Sequence, residues 1–390
     1  MRKLHDATDL SKLSHVSAKD LQDFVAALND IRLNDVGSRK VVVAIGTGGT
    51  IAMRITDDGQ WVPDLNFDGV MDHASPLLKE HFLIKGFDAF SIDSSQMNYS
   101  HTRDLAICLS YIWQNIDIHI AGFLVLHGTD TMTYSSAAVS LMMGQGLPFS
   151  VCFTGAQKPI QEPINDAATN LRNALYTLEA LYENNMAEVV VVMGDMAVLG
   201  TSSEKIDDSQ ANAFEAPLHK YVARFNRLDY PIKLAGWLKP KRSEIFAPRI
   251  WDGDYSHTLV VKSHLGLCPD TIARQVTDEQ IKAVILYSYG GNTVYEPIFE
   301  AIMPIAKKKN MPVFVVSPVN AELRATYVSA HKMIEQGVVP LYMTLSAALA
   351  KIEIALCLHS KDMKALANFM QESYVGEVPS TESRYIAEKH

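Results

Sequence analysis

Apolar residues recur along this chain with two different spacings. In residues 17–31, SAKDLQDFVAALNDI, they fall at Leu21, Phe24, Val25, Leu28 and Ile31, the repeat of one helical face, and Ser17 stands where an N-cap belongs. From residue 40 short continuous apolar runs take over: VVVAIG (41–46), GFLVLH (122–127), FSVCFTG (149–155) and VVVVMG (189–194). Helical stretches lie between them. In 169–182, Leu171, Ala174, Leu175, Leu178 and Leu181 form one stripe. A strand apolar at every position is buried on both faces, and strands alternating with helices build a parallel sheet covered on both sides. The pattern predicts an α/β fold.

Residues 201–255 break the pattern. They are polar, carry Pro217, Pro231, Pro240 and Pro248, and read as loop plus connector. A second α/β set follows, with HTLVVK (257–262), AVILYS (283–288) and PVFVVS (312–317) as strands and helices over 344–358 and 361–371. A single core rarely grows beyond about 250–300 residues, so 390 residues imply two domains. The expected division is a helical extension over 1–38, a larger domain over 39–225, a linker over 226–255 and a smaller domain over 256–390.

Composition narrows the function. A net charge of −9 with 48% hydrophobic residues fits a globular protein and argues against a nucleic-acid surface, which needs clustered Lys and Arg. The one dense basic run, LKPKR with Lys239, Lys241 and Arg242, reads as a solvated loop. The N-terminus has no apolar signal core, and no stretch is long and apolar enough for a membrane span, so a cytoplasmic protein with no membrane partner is expected. Cys108, Cys152, Cys268 and Cys357 are scattered without metal spacing, and are read as reduced thiols. No metal and no cofactor is expected.

The first apolar run ends in Gly46-Thr47-Gly48-Gly49-Thr50-Ile51. A dinucleotide turn needs a small residue where Ile51 stands, an acidic residue about 20 positions later, and a helix to follow. This chain offers none of these. Asp58-Gly59 instead signals a hairpin. A second run ends alike, in LVLHGTDTMTY (124–134). Carboxyl ends of parallel strands face the ligand crevice, so two such ends can present Thr50 and Thr129 to one substrate. Taken alone, either motif also reads as an ordinary helix cap.

Together, TGGTIA (47–52) and HGTDTM (127–132) resemble the bacterial-type L-asparaginases and their glutaminase relatives. DSSQM (93–97), TGAQKP (154–159), NDAATNLRNAL (165–175), GTSSEK (200–205) and YGGN (289–292) follow in the order of that family, so the resemblance spans about residues 40 to 375. It implies two three-layer αβα domains with parallel-rich sheets, the larger N-terminal. It implies hydrolysis of L-asparagine to L-aspartate and ammonia by a homodimer or homotetramer. Thr50 would attack the side-chain amide carbon, with Thr129, Asp130 and Lys205 as the second catalytic cluster. Burial lowers a lysine pKa, so Lys205 could serve as a base. Ser94 and Ser95 would hold the substrate α-carboxylate, Asp130 its ammonium, and Gly128 and Gln157 would line the site. His127 is expected to be a core histidine.

The family pattern also fails in places. Its loop tyrosine is missing from RITDDGQWVPD, where Trp61 stands near the position, and an indole N–H only donates. Acidic residues are expected where Tyr342 and Ser346 stand, and Ser-Asp-Gly where Asn165-Asp166-Ala167 stands. Two other readings therefore stay open: a catalytically impaired homologue that binds an acidic amino acid, and the amidase subunit of a tRNA-dependent amidotransferase. The latter carries an extra β-domain, for which the 38-residue extension is too short.

Overall fold

A computed structural model gives the architecture. It describes residues 3–218, 221–225, 232–240, 244–319 and 327–379; Pro231, Lys241 and Arg242 lie outside these. The chain divides into two units, His5–Ile250 and Met1–Leu4 with Trp251–His390.

The first long helix of the larger unit is α1 (Ala18–Asn29). The Ser17 hydroxyl accepts the Asp20 N–H at 3.2 Å, and Leu21, Val25 and Leu28 are buried. Ile31 lies beyond the helix end. Among the elements that follow are β1 (Lys40–Gly48), the hairpin β2 (Met53–Ile55) and β3 (Trp61–Pro63), α2 (Phe67–Asp72), β4 (Phe82–Ile92), α3 (Tyr99–Asn115), β5 (Gly122–Leu126), α4 (Met132–Met143), β6 (Val151–Thr154), α5 (Ala167–Glu183), β7 (Val189–Met193), β8 (Met196–Leu199), the short pair β9 (Glu204–Lys205) and β10 (Phe214–Glu215), and β11 (Tyr221–Arg224). Helix α1 packs on α3 and β4, with Phe24 against Phe87 at 5.3 Å.

One seven-stranded sheet runs in the order β11-β8-β7-β6-β5-β1-β4. Strands β4, β1, β5, β6 and β7 are parallel; β8 runs antiparallel to β7, and β11 antiparallel to β8. Residues 201–255 are more than the loop and connector expected from the sequence. Strands β9 to β11 lie there, and they escaped notice because strands of two to four residues show no periodicity. The core explains the uninterrupted runs: Val42, Ala44, Leu124, Leu126, Val190 and Val192 pack with Leu171, Leu175 and Leu178 of α5 on one face. The alternate residues Val41, Val43, Ile45, Phe123 and Val125 are buried as well. Each such Val, Leu, Ile or Phe side chain contributes about 1.5–3 kcal/mol by leaving water.

The second unit holds a four-stranded parallel sheet in chain order, β12 (Thr258–Lys262), β13 (Ala283–Tyr287), β14 (Val313–Val316) and β15 (Val339–Leu341). Its helices are α6 (Pro269–Val276), α7 (Glu296–Lys309), α8 (Val328–Glu335), α9 (Leu345–His359) and α10 (Met363–Gln371). Where the family pattern leads one to expect an acid, Ser346 is buried, and its hydroxyl lies 3.0 Å from that of Thr344, the N-cap of α9. No helix among the described residues is long and apolar enough to cross a membrane.

Candidate active site

Three neighbouring parallel strands set the site. Because β4, β1 and β5 run side by side in one direction, their carboxyl ends lie on one edge of the sheet. Ser94 follows β4, Thr50 follows β1 and Thr129 follows β5. The register between β1 and β4 slips after Gly46: Gly46 pairs with Asp88 and Gly48 with Ile92, so the extra residues lie on β4.

The loops then meet backbone to backbone. Gly49 has φ 86 and ψ 173, a region open essentially only to glycine, and a Cβ placed there would lie 2.5 Å from the Gly128 nitrogen. A Cβ on Gly128 would lie 2.5 Å from the Ser94 hydroxyl. Thr50 and Thr129 each follow directly on one of these paired glycines. Two hydroxyls fasten the arrangement: Thr47 donates to the Leu126 carbonyl at 2.9 Å, and Thr131 donates to the Ser94 carbonyl at 2.9 Å. Both residues stand within the TGGTIA and HGTDTM motifs, yet nothing local marks a threonine that bonds a distant carbonyl.

Lys205 arrives from β9. Its ammonium donates to Thr129 Oγ1 at 3.0 Å and pairs with Asp130 Oδ1 at 2.6 Å. Thr129 is buried, and the Lys205 side chain is 18% exposed against 58% for Asp130, so the pair opens to solvent on the carboxylate side. With the lysine as donor, the Thr129 hydroxyl proton is free to point elsewhere. Negative charge developing on Thr129 Oγ1 would be met by the ammonium.

Thr50 opens a short 3-10 turn, Thr50–Ala52, that leads into the β2–β3 hairpin, as Asp58-Gly59 predicted. Its hydroxyl makes no hydrogen bond to another described residue. Trp61, on β3 opposite Ile55, is 44% exposed. Ser94 is buried in a 3-10 turn capped by Asp93, which accepts the N–H of the exposed Ser95 at 2.9 Å. Gln157 is placed by its backbone: its N–H and that of Lys158 both donate to the Asp166 carboxylate at 3.0–3.1 Å. Its side chain turns toward the Asp207 carbonyl at 3.5 Å, and no hydrogen bond joins it to Thr129, Asp130 or Lys205.

His127 is fully buried. Its Nδ1–H donates to the Gly128 carbonyl at 2.7 Å, and Nε2 has no hydrogen-bond partner among the described residues. Burial pushes its pKa down to about 4, so the ring is neutral at pH 7 and belongs to the core.

Comparison with known proteins bears on the family and the fold. The family model described as asparaginase, N-terminal, matches residues 41–234. The L-asparaginase of Thermococcus kodakarensis is 26% identical over 346 residues, covering 86% of this chain and 98% of that protein. One of the subunits of the glutamyl-tRNA(Gln) amidotransferase of Aeropyrum pernix is 27% identical over 351 residues, covering 86% of this chain and 79% of that protein. The solved structure of the thermostable L-asparaginase from T. kodakarensis shares the fold, with a TM-score of 0.75 at 24% identity over 87% of this chain and 100% of that one. The motifs, the fold and the family match agree, and the chain belongs to the asparaginase family.

Proposed function

We propose that this family member hydrolyses the side-chain amide of L-asparagine to L-aspartate and ammonia. The observation that carries the proposal is the Lys205–Thr129–Asp130 cluster beside the Gly49–Gly128 contact. Thr50 attacks the amide carbon, ammonia leaves, and water resolves the acyl-enzyme. Lys205 and Thr129 move the protons, and Asp130 holds the Lys205 ammonium and pairs with the substrate ammonium. Ser94 and Ser95 bind the α-carboxylate, with Gly128 and Gln157 lining the pocket. No cofactor takes part. The protein works in the cytoplasm as a homodimer or homotetramer.

Ammonia release by purified protein tests this across L-asparagine, L-glutamine and their D-forms. Turnover of L-asparagine above the other three is expected. Absence of release at millimolar substrate would sink the proposal.

A second reading draws support from the likeness to the A. pernix amidotransferase polypeptide: an amidase that feeds ammonia to a partner. It predicts co-purification with a second large protein and weak hydrolysis without it. A third reading, a binder of an acidic amino acid that does not turn over, draws on Trp61 and the unbonded Thr50 hydroxyl. It predicts aspartate binding by calorimetry without ammonia release.

A further inference from the structure

The segment ahead of the family match is bound tightly beside the substrate loop. Asp104, fully buried on α3, accepts three successive backbone N–H groups: Ser14 at 3.0 Å, His15 at 2.6 Å and Val16 at 3.2 Å. Next to it, Arg103 donates to the Lys12 carbonyl at 3.2 Å and the Ser14 hydroxyl at 2.8 Å. A buried carboxylate and a buried guanidinium thus hold residues 12–16 against the first turns of α3. Buried charges are retained only when so paired.

The side chain of His15 then reaches toward the site. Its ring stacks on that of His101, with centroids 3.6 Å apart and planes 8° from parallel, while Phe90 stands edge-on to both. His15 Nε2 lies 2.7 Å from Ser100 Oγ. Ser100 Oγ donates to Asn98 Oδ1 at 2.6 Å, which leaves the hydroxyl to accept from His15. Asn98 is the N-cap of α3, and its Oδ1 also accepts the Ser100 N–H at 3.1 Å. Immediately before it, the Met97 N–H donates to the Ser94 carbonyl at 3.0 Å, the same carbonyl that Thr131 holds. A continuous path runs from His15 through Ser100 and Asn98 to the turn that carries Ser94.

We infer that residues 12–16 are a strap and that His15 is a positioning residue, setting the α3 cap and through it the Ser94 turn. This rests on the proposed role of Ser94 in binding the substrate α-carboxylate. His15 is exposed, so truncating it opens no core. The test compares His15→Ala with His15→Gln, which keeps an N–H donor, and with Ser100→Ala, which cuts the path beyond the strap. Two readouts are used: KM and kcat for L-asparagine, and amide hydrogen exchange at Gln96 and Met97, whose N–H groups close the turn.

Loss of one hydrogen bond is expected to raise KM about tenfold with kcat nearly unchanged. Exchange at Gln96 and Met97 should quicken severalfold in His15→Ala and Ser100→Ala, and His15→Gln should restore both readouts. Unchanged exchange in both truncations overturns the strap. Quickened exchange with unaltered KM overturns its link to substrate. If the protein hydrolyses nothing, the proposed function fails, and the exchange measurement still decides whether the strap holds the turn.

Discussion

Gly49 and Gly128 meet with so little space between them that a single methyl group on Gly49 would sit 2.5 Å from the backbone nitrogen of Gly128. Gly49→Ala should therefore fail twice, through its positive φ and through the collision with the facing loop. Activity should fall at least about 100-fold, because small displacements of reacting groups cost that much. The melting temperature should drop by several degrees. Near-normal turnover in this variant would mean that the two loops do not act as one unit.

Thr129→Val keeps the volume and removes the hydroxyl that Lys205 contacts. Lys205 retains Asp130, so the fold should survive with a little-changed melting temperature. Hydrolysis should fall by about 10²–10⁴-fold, the usual contribution of a positioned proton-transfer group. Unaltered kcat would remove Thr129 from the chemistry.

Trp61→Tyr puts a hydroxyl that can both donate and accept in place of a donor-only indole on the hairpin beyond Thr50. The rate should rise about tenfold if activation of Thr50 limits turnover. An unchanged or lower rate in steady-state assays would show that another group serves Thr50.

His127 couples stability to pH. Its folded pKa, about 4, lies below its ordinary value of 6.5. The unfolded chain therefore binds a proton between these values while the folded one does not. Its contribution is full above pH 6.5 and is lost as pH falls toward 4, amounting to about 3 kcal/mol. Denaturant titrations of wild type and His127→Phe should show a flatter dependence in the variant across that window. Parallel curves would contradict the assignment.

What the chain disclosed before folding depended on how local each signal was. The run 41–46 announced a buried strand because every residue in it meets a core face. Ser17 and Asp58-Gly59 declared a cap and a hairpin because those signals are complete within a few residues. The strand Phe82–Ile92 stayed hidden: it is the edge strand, and exposed Lys85 and Asp88 interrupt its apolar residues. The candidate site was visible as motifs, but its fastening was not. Thr47, Thr131 and Asp104 make bonds to partners distant in sequence, and no local pattern encodes them.

The placement of β1 between β4 and β5 dictates the order in which competence can arise. Residues 40–48 must recruit partners from both 82–92 and 122–126 before the three loop tips become neighbours. Such distant pairings close slowly compared with helices. During refolding, backbone signal should return well ahead of catalytic output, and a nascent chain stalled before residue 129 would be inert however well its early strands had formed.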